Sequence, residues 1–413
     1  MVIQAYVPYK ESAIRYHWLP ATALFILSPL LSMPIVLYGV YRQKISGYVL
    51  FSLFLGLLAW LQVPLGDLFR HSLETQAYLG MSFSEFVANK GDSDFVSSFG
   101  KWFLVNNDLP YQWYRLFWVA ESFLALALPL RWMMLNDKRV YTYKDAFIRF
   151  GILFLFFEFI MNTNGVRYCC ACYNYVLALH FWINRKKLLL AIITLLLVTK
   201  IHSAMMFLIP LSFIIYLITR KRNAGLIVAL IMMCIIILTL SEYGHELLGR
   251  RADFYFDGGK IGGNKMGATW VGFILHIAMR VFLLPFAYLS YKYFSIQNKW
   301  CRVLFSWVLI MLIFISNENM IFRAAVPIGS IGVLTLVYLE NFYCLRKKFI
   351  NTVVWCGVMT TLFNTVNYHP YILNSHYERI ITPVPMILDY TYSISWIQKN
   401  IHGNHMINSR TYF

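Results

Sequence analysis

The sequence is poor in charged residues, and this excludes an ordinary soluble protein. Asp, Glu, Lys and Arg make up 13% of its 413 residues, whereas hydrophobic residues make up 59% and aromatic residues 18%. A soluble domain of this composition would expose too much apolar surface to remain dispersed in water. The composition therefore predicts that the lipid bilayer is the solvent of this protein.

The sequence also lacks the alternating ten-residue segments that mark a membrane β-barrel. A membrane-spanning helix needs roughly 20 mostly apolar residues, and several runs meet or approach that length: Trp18–Tyr41, Leu188–Thr199, Ser203–Thr219, Ala224–Leu240 and Ala324–Leu339. No cleavage site follows a short apolar core at the N-terminus, which predicts a retained first helix. We predict an all-α integral membrane protein, a single polytopic domain over residues 1–413 with about 12 transmembrane helices.

Cysteine is scarce, and its distribution argues against both disulfides and metal. The seven cysteines are an odd number, and four of them lie in or beside apolar runs: Cys234, Cys301, Cys344 and Cys356. We therefore expect no disulfide framework. The cluster Cys169, Cys170 and Cys172 has no second CxxC and no histidine pair at metal-ligand spacing. We expect these three thiols to serve helix packing.

Acidic residues are also scarce, with 19 Asp and Glu against 36 Lys and Arg, and the net charge is +17. In a soluble protein this excess would suggest a nucleic-acid partner, but here most of it falls in short loops between apolar runs. By the positive-inside rule these loops are cytoplasmic, and no nucleic-acid partner is expected. They are Arg42–Lys44, Lys138–Arg149, Arg185–Lys187, Arg220–Arg222, Lys292–Arg302 and Arg346–Lys348.

The segments between the basic loops then face outward. The longest is residues 64–111, where Phe95, Phe99 and Trp102 share one helical face and predict an amphipathic helix on the outer membrane surface. A second long outer loop covers residues 241–269, and residues 367–413 form an outer C-terminal tail. The shorter outer segments are Asn162–Arg167, Lys200–His202 and Ser316–Arg323.

Basic residues in the outer segments need another explanation, because translocated loops disfavour them. Guanidinium groups bind phosphate through two parallel hydrogen bonds and stay charged at any working pH. Several arginines at an outer membrane face therefore suit a lipid-linked diphosphate. The alternative is contact with phospholipid headgroups. The outer groups are Asp67 with Arg70 and His71, Arg167, His202, Arg250 with Arg251, and Arg323.

Ionisable residues also lie within the apolar runs: Glu121, Glu158, His276 and Arg280. Charge at membrane depth is expensive and usually functional. A structural ion pair, such as Glu158 with Arg280, explains them equally well. Asp67 and Arg70 are three residues apart, so an acid that deprotonates a hydroxyl and a cation that holds phosphate would share one helix face. A pair that caps the helix is an equally simple interpretation.

The stretch Asn164–Pro210 carries a resemblance to a known family. It has an outer Asn-Gly-Val-Arg at 164–167, an inward helix, a basic turn at 184–187 and an outward helix ending in Lys-Ile-His-Ser-Ala at 200–204. This pattern resembles the Wzy-type polysaccharide polymerases, in particular their EpsG-like branch. The positions of Asp67 with Arg70, of Arg323 and of the segment 369–371 match as well. Tyr168 stands where that branch usually has glutamine, so amide chemistry at this position is not carried over.

The resemblance implies a GT-C-like membrane glycosyltransferase at the periplasmic face of the bacterial inner membrane. Such an enzyme transfers a growing glycan from undecaprenyl diphosphate onto an incoming lipid-linked repeat unit. It implies diphosphate binding by Arg167, by Arg250 or Arg251, and by Arg280 and Arg323, with His202 orienting the diphosphate. Arg70 is a further catalytic candidate. Asp67 is the first choice of base and Glu158 the second. No cofactor is expected, and without a carboxylate triad or Asp-x-Asp motif we predict metal independence.

Rival functions remain open from the sequence. An O-antigen ligase uses the same kind of donor, but its large outer loop comes late in the chain, whereas here residues 64–111 come early. A polysaccharide flippase or other transporter would show internal repeats with matching broken helices, which are absent. The expected partners are undecaprenyl-diphosphate-linked oligosaccharides, the bilayer, and a chain-length regulator and flippase of the same pathway.

Overall fold

The computed structural model describes most of the chain, namely residues 17–65, 67–90, 94–136, 141–219, 221, 223–228, 230–231, 280–295, 297–314, 318–343, 345–367, 372–402 and 405–406. This part is helical apart from one short antiparallel ladder, in which Ile401 pairs with Met406 and His402 with His405. Arg250, Arg251 and His276 lie outside the described residues.

Helices of very different length follow one another along the chain. In order they are α1 (Trp18–Leu27), α2 (Pro29–Tyr41), α3 (Ile45–Leu61), α4 (Asp67–Gln76), α5 (Phe83–Lys90), α6 (Phe95–Val105), α7 (Gln112–Asn136), α8 (Tyr143–Phe156), α9 (Phe159–Asn164), α10 (Val166–Ile183), α11 (Leu188–Ile201), α12 (Ala204–Ile218), α13 (Leu284–Lys292), α14 (Lys299–Ile313), α15 (Glu318–Glu340), α16 (Lys347–Asn367), the 3-10 helix η1 (Tyr377–Ile381), α17 (Val384–Asp389) and α18 (Ile394–Asn400). The strands are β1 (Ile401–His402) and β2 (His405–Met406).

Three of the described helices are long and apolar enough to cross a membrane: Gln112–Asn136, Arg323–Glu340 and Lys347–Val366. Shorter apolar helices accompany them in the fold, and leucines of α11 that a soluble protein would bury stay exposed, as Leu189 does at 71%. An exposed apolar surface of this kind suits lipid. The helical fold is confirmed for the described residues, and its three long apolar helices are compatible with a membrane protein, while the number of 12 spans stays a prediction.

The first predicted helix, Trp18–Tyr41, is divided in two. Ser28 adopts an extended conformation between α1 and α2, and its side chain accepts a hydrogen bond from the Leu31 amide. Pro29 occupies the first helical position of α2, where a missing N–H is tolerated and the fixed φ angle suits a helix start. The Ser-Pro pair therefore starts a new helix inside a run that is apolar throughout.

Contacts between loops reproduce the two groups that the charge pattern predicts. At one end, three contacts are made by residues in or next to the basic loops. Arg131 Nε donates to Gln43 O at 2.7 Å, Trp300 Nε1 donates to Asn184 Oδ1 at 2.9 Å, and the ring centroids of Tyr293 and Tyr343 are 4.7 Å apart. At the other end four pairs join the remaining segments: Gln62 Nε2 to Asn164 Oδ1 and Val63 N to Ser375 Oγ, both at 2.9 Å, Ser203 N to Asp94 Oδ1 at 2.6 Å, and the Tyr168 hydroxyl to the Arg323 carbonyl. The helices α3, α7 and α10 each run from one group of contacts to the other, so the two groups lie at opposite ends of the bundle. We call the end with the second group, around Gln62, Asn164 and Ser203, the polar end.

A tight turn at Gly165 joins α9 to α10 at the polar end. Cys169 Sγ lies 4.0 Å from the Met161 carbonyl, and the Tyr173 hydroxyl donates to the Phe157 carbonyl at 2.8 Å. In both contacts the two residues are equally far from Gly165 along the chain, four residues in the first and eight in the second. The chain therefore folds back at Gly165, and α9 runs antiparallel to the first turns of α10. The helical path from α8 is interrupted before this turn at Glu158, whose φ of 50° is left-handed.

In its described residues, the long loop 64–111 contains three short helices, α4, α5 and α6, at the polar end, and not a single one. The predicted aromatic face lies on α6, where Phe99 is 38% exposed while Ser97, Ser98 and Lys101 are buried. At 11 residues α6 spans roughly 17 Å, which is too short to cross a bilayer. Its position on the outer membrane surface stays a prediction.

A buried ion pair holds α8 against α15 at the end opposite the polar end. Arg149 Nε donates to Glu340 Oε2 at 3.0 Å, Arg149 Nη2 donates to Oε1, and the Tyr141 hydroxyl lies 3.2 Å from Oε2. The side chains of Arg149 and Glu340 are 3% and 0% exposed. Arg149 therefore has a packing role in addition to the topological role that its basic loop predicts.

We expect Glu340→Ala to destabilise the protein by about 3–5 kcal/mol, because it leaves Arg149 buried without its carboxylate. Replacing both partners, as Arg149→Met with Glu340→Leu, should be milder because no charge is then stranded. Unfolding temperatures of the purified variants in detergent measure the difference. A double variant as unstable as the single one would contradict this account.

Candidate functional site

Arg167 lies in the first turn of α10, directly after the turn at Gly165. Its Nη1 donates to Asp94 Oδ2 at 2.9 Å, and the two side chains are 15% and 18% exposed. The Nε of Arg167 is buried without a hydrogen-bond partner. A partly buried guanidinium with an unused donor at a helix start is a favourable place for an anion.

Asp94 connects Arg167 to the turn between α11 and α12. Its second oxygen, Oδ1, accepts a hydrogen bond from the Ser203 amide at 2.6 Å. Asp94 precedes α6 and has a left-handed backbone with φ of 56°. One carboxylate therefore joins the loop 64–111, the start of α10 and the segment that carries His202.

Tyr168 joins His202 to Arg323. The rings of Tyr168 and His202 meet edge to face with centroids 5.3 Å apart, and Nδ1 of His202 accepts from the Ala204 amide at 3.1 Å. The Tyr168 hydroxyl donates to the Arg323 carbonyl, and the Arg323 guanidinium carbon lies 5.8 Å from the centroid of the Tyr168 ring. Three predicted site residues, Arg167, His202 and Arg323, thus come together around Tyr168.

A second charged cluster lies beside this group and contains His71, Glu74 and Lys101. Lys101 Nζ lies 2.7 Å from Glu74 Oε2 and 3.0 Å from His71 Nδ1, and His71 Nδ1 lies 3.0 Å from Glu74 Oε2. His71 and Lys101 are each 1% exposed, whereas the Glu74 side chain is 40% exposed. The cluster fixes α6 against α4 through buried polar contacts.

The environment shifts the pKa of two members of this cluster. Burial lowers the pKa of Lys101 to about 8, the charges of Arg167 and Arg70 act in the same direction, and Glu74 opposes them. Burial acts to raise the pKa of Glu74, but its interactions with His71 and Lys101 outweigh burial and lower the pKa far below its usual range. Glu74 is therefore ionised at neutral pH, and Lys101 titrates in mildly alkaline solution.

Arg70 pairs with Glu74, with its Nε 3.6 Å from Oε1. The Arg70 side chain is 52% exposed, so this ion pair is weak. Asp67 begins α4 three residues earlier, and its side chain lies outside the described residues. The interpretation of Asp67 as a base stays a prediction.

The ionisable residues predicted at membrane depth fall into two separate places. Glu121 Oε2 accepts from Asn174 Nδ2 at 3.0 Å and from Cys170 Sγ at 3.2 Å, which gives it a packing environment within α7 and α10. Glu158 is buried, and its charge interacts with that of Arg280. The predicted proximity of Glu158 and Arg280 is therefore present in the structure.

The cysteine cluster lies inside the bundle as free thiols, and Cys169, Cys170 and Cys172 are all buried. Among the described residues no group of three or more His, Cys, Asp and Glu side chains is arranged to hold a metal ion. Metal independence of any reaction stays a prediction.

Sequence reasoning missed Asp94, Glu74 and Lys101. His71 and Glu74 are three residues apart on a polar helix, a spacing that predicts contact between their side chains. Lys101 falls on the face of α6 opposite its aromatic residues, which indicates a buried polar contact once that helix is placed. Asp94 stands directly before an apolar helix, where an acid usually caps the helix, yet its side chain bonds Arg167 and Ser203 instead.

Comparison of the chain with models of protein families, with characterised proteins and with solved structures finds no match.

The bridge made by Asp94 leads to a graded stability prediction. We expect Asp94→Ala to destabilise the protein by about 1.5–3 kcal/mol, because the Ser203 amide and Arg167 both lose a charged acceptor. Asp94→Asn keeps an oxygen for Ser203 and should lose about half as much. Unfolding temperatures of the purified proteins give the order, and an unchanged value for Asp94→Ala would contradict it.

The lowered pKa of Lys101 leads to a pH prediction. Between about pH 8 and 10.5 the unfolded lysine still binds a proton that the folded one has lost, so the unfolded state binds more protons and stability rises with pH. The advantage of wild type over Lys101→Met in unfolding free energy should therefore grow by roughly 3 kcal/mol across this window. Thermal unfolding at a series of pH values measures it. A difference that is flat or falls with pH would contradict the burial argument.

Proposed function

We propose that this protein is a polymerase of bacterial surface polysaccharide, either O-antigen or exopolysaccharide. It transfers a growing glycan from undecaprenyl diphosphate onto an incoming lipid-linked repeat unit. The proposal places the chain in the bacterial inner membrane with about 12 spans and its polar end toward the periplasm. A chain-length regulator and a flippase of the same pathway would work beside it.

One observation carries this proposal more than any other. Arg167, His202 and Arg323 come from three separate segments, and the fold brings them together around Tyr168 at one end of the bundle. The resemblance to Wzy-type polymerases singles out the same three residues. Two arginines and a histidine at the end of a membrane bundle suit the diphosphate of a lipid-linked substrate.

The reaction needs no nucleotide sugar, because the donor already carries its leaving group. A hydroxyl of the acceptor sugar attacks the anomeric carbon, the bond from this carbon to the phosphate oxygen breaks, and undecaprenyl diphosphate leaves with the electron pair. The hydroxyl proton passes to a base. The products are a glycan longer by one repeat unit on the acceptor lipid and a free lipid diphosphate.

The arginines would lower the barrier by stabilising the negative charge that develops on the leaving diphosphate. Preorganised donors in a site shielded from water contribute several kcal/mol to such a step. Arg167 already presents Nη1 to a carboxylate, Asp94, and has a buried Nε with no hydrogen-bond partner. A phosphate oxygen could replace the Asp94 oxygen at the same guanidinium.

Two acids are candidates for the base, as the sequence suggests. Asp67, the first residue of α4, is the first choice. Glu158 is the second: it is buried beneath the turn at Gly165, and its Oε2 has no hydrogen-bond partner. Arg280 would support the charge at Glu158, and Arg70 would support that at Asp67.

An O-antigen ligase is the second candidate function, since it uses the same class of donor. The order of the loops favours the polymerase. The loop 64–111 supplies Asp94 to the predicted site from the first third of the chain, whereas the large outer loop of a ligase comes late. Transfer to a lipid A core instead of to a repeat unit would identify a ligase.

We expect Arg167→Ala and Arg323→Ala each to slow transfer by about 10²- to 10³-fold, the usual effect of removing one donor to a developing anion. Arg379→Ala is a matched control, because Arg379 is exposed on η1 at the same end and rests on the ring of Tyr390, 4.3 Å away. A gel of surface polysaccharide from cells carrying each variant shows the ladder of chain lengths. Normal long chains with Arg167→Ala would contradict the diphosphate role.

A further inference from the structure

Glu74 is the accessible member of a cluster whose other two members are buried. Its side chain is 40% exposed, whereas His71 and Lys101 are each 1% exposed. Around α4 the exposed fraction rises in order from His71 through Glu74 to Arg70, which is 52% exposed. The Glu74 carboxylate therefore stands at the edge of α4, with buried groups on one side and an accessible surface on the other.

The two carboxylate oxygens of Glu74 have different surroundings. Oε2 lies 2.7 Å from Lys101 Nζ and 3.0 Å from His71 Nδ1. Oε1 accepts no hydrogen bond from the described residues and faces Arg70 Nε at 3.6 Å, which is longer than a hydrogen bond. One oxygen is thus used within the protein, while the lone pairs of the other are available to a ligand.

The way in which Glu74 is held favours a binding role. Burial of a lysine and a histidine is costly, and here both support a single carboxylate. An exposed ion pair such as that of Glu74 with Arg70 contributes little to stability by itself. The carboxylate is ionised at neutral pH. A group that is charged, accessible and fixed by buried neighbours is typical of a preorganised binding site.

Arg167 lies near the same face of α6 that holds Glu74. Ser97 and Lys101 share this face, and both contact Tyr114 of α7: Ser97 Oγ lies 2.5 Å from its hydroxyl, and Lys101 Nζ lies 5.9 Å from its ring centroid. The charge of Arg167 acts both on the Tyr114 hydroxyl and on Lys101. The diphosphate site proposed at Arg167 and the Glu74 carboxylate are therefore neighbours.

The length of α6 gives the separation of these two places. Asp94 binds Arg167 at the start of the helix, and Lys101 binds Glu74 seven residues later. Along the helix axis this is roughly 10 Å. An oligosaccharide spans such a distance, so a sugar held at Glu74 would extend toward a phosphate at Arg167.

We propose that Glu74 binds sugar hydroxyl groups of the acceptor repeat unit through Oε1. This rests on the proposed function and adds an acceptor subsite to it. Hydroxyl groups donate to an ionised carboxylate in charge-assisted hydrogen bonds, and the guanidinium of Arg70 can donate to sugar oxygens beside it. With the donor diphosphate at Arg167 and the acceptor at Glu74, the attacking hydroxyl lies between the two.

The charges around Oε1 favour a neutral polar ligand over an ion. The carboxylate of Glu74 repels an anion, while Arg70 and Lys101 beside it repel a cation. A sugar is neutral and carries several hydroxyl groups, so it can use the carboxylate and the guanidinium together.

Binding of a sugar without lipid tests the subsite apart from the diphosphate site. The probe is the oligosaccharide released by mild acid from the lipid-linked units that accumulate in cells lacking this chain. Titration calorimetry with the full-length protein in nanodiscs measures its affinity. We expect Glu74→Gln to weaken this binding by about 10-fold or more, because charge-assisted hydrogen bonds are lost. Its affinity for undecaprenyl diphosphate, a probe without sugar, should stay unchanged.

Glu85→Gln is the matched control. Glu85 is an exposed glutamate of the same loop, and its Oε2 accepts a hydrogen bond from the Ser82 amide at 2.7 Å at the start of α5. This variant also removes one negative charge from the loop 64–111, but it should keep the affinity for the sugar.

A double variant separates binding from stability. Glu74→Gln alone leaves Lys101 buried without its carboxylate and should lower the unfolding temperature. Glu74→Gln with Lys101→Met strands no charge and should recover much of that loss. Because neither protein has the carboxylate, both should bind the sugar equally weakly.

Each other outcome has a defined meaning. Sugar binding that returns in the double variant together with the unfolding temperature would overturn the subsite, by showing that Glu74 acts through structure alone. An affinity that Glu74→Gln leaves unchanged would overturn it as well, as would a wild type that binds undecaprenyl diphosphate but not the sugar. Failure of wild type to bind undecaprenyl diphosphate would instead overturn the proposed function.

Discussion

A polar group buried in a helical bundle as apolar as this one gains most when another part of the chain supplies its hydrogen-bond partner. The end of α3 is an example. Arg115, which is fully buried, donates to the carbonyls of Gln62 at 2.5 Å and Trp60 at 3.2 Å, satisfying acceptors that a helix end leaves open. The C-terminal segment completes this cover, because the Tyr392 hydroxyl donates to the Leu61 carbonyl at 3.0 Å.

The sequence predicts some parts of this fold and not others. Apolar runs and basic loops determine where helices lie and which loops share an end, and both are visible without tertiary contacts. The breaks within apolar runs are harder to predict. Ser28 with Pro29 carries a local signal, but Glu158 stands among phenylalanines with no glycine or proline beside it. No local signal in the sequence predicts its left-handed conformation.

Part of the candidate site could also be predicted from the sequence, and part could not. Arg167, His202 and Arg323 could be predicted because basic residues at one set of helix ends lack a topological explanation. Asp94 could not, because its role depends on two partners that are 73 and 109 residues away in the chain. Tyr168 was identified only as a departure from the glutamine of the EpsG-like branch. In the structure its ring and hydroxyl connect His202 with Arg323.

Under the proposed function, the geometry of Asp94 lets a charged substrate enter without disordering the site. Its two oxygens have different partners, Oδ2 for Arg167 and Oδ1 for the Ser203 amide. A phosphate that takes over Arg167 competes with only one of these contacts, so the turn carrying His202 keeps its acceptor. Meanwhile Lys101 and Glu74 hold α6 to α4 independently of Arg167. A phosphate that replaces Asp94 at Arg167 would therefore change the partner of one guanidinium only. The loop 64–111 would keep its contact with Ser203 through Asp94 and its contact between α4 and α6 through Glu74 and Lys101.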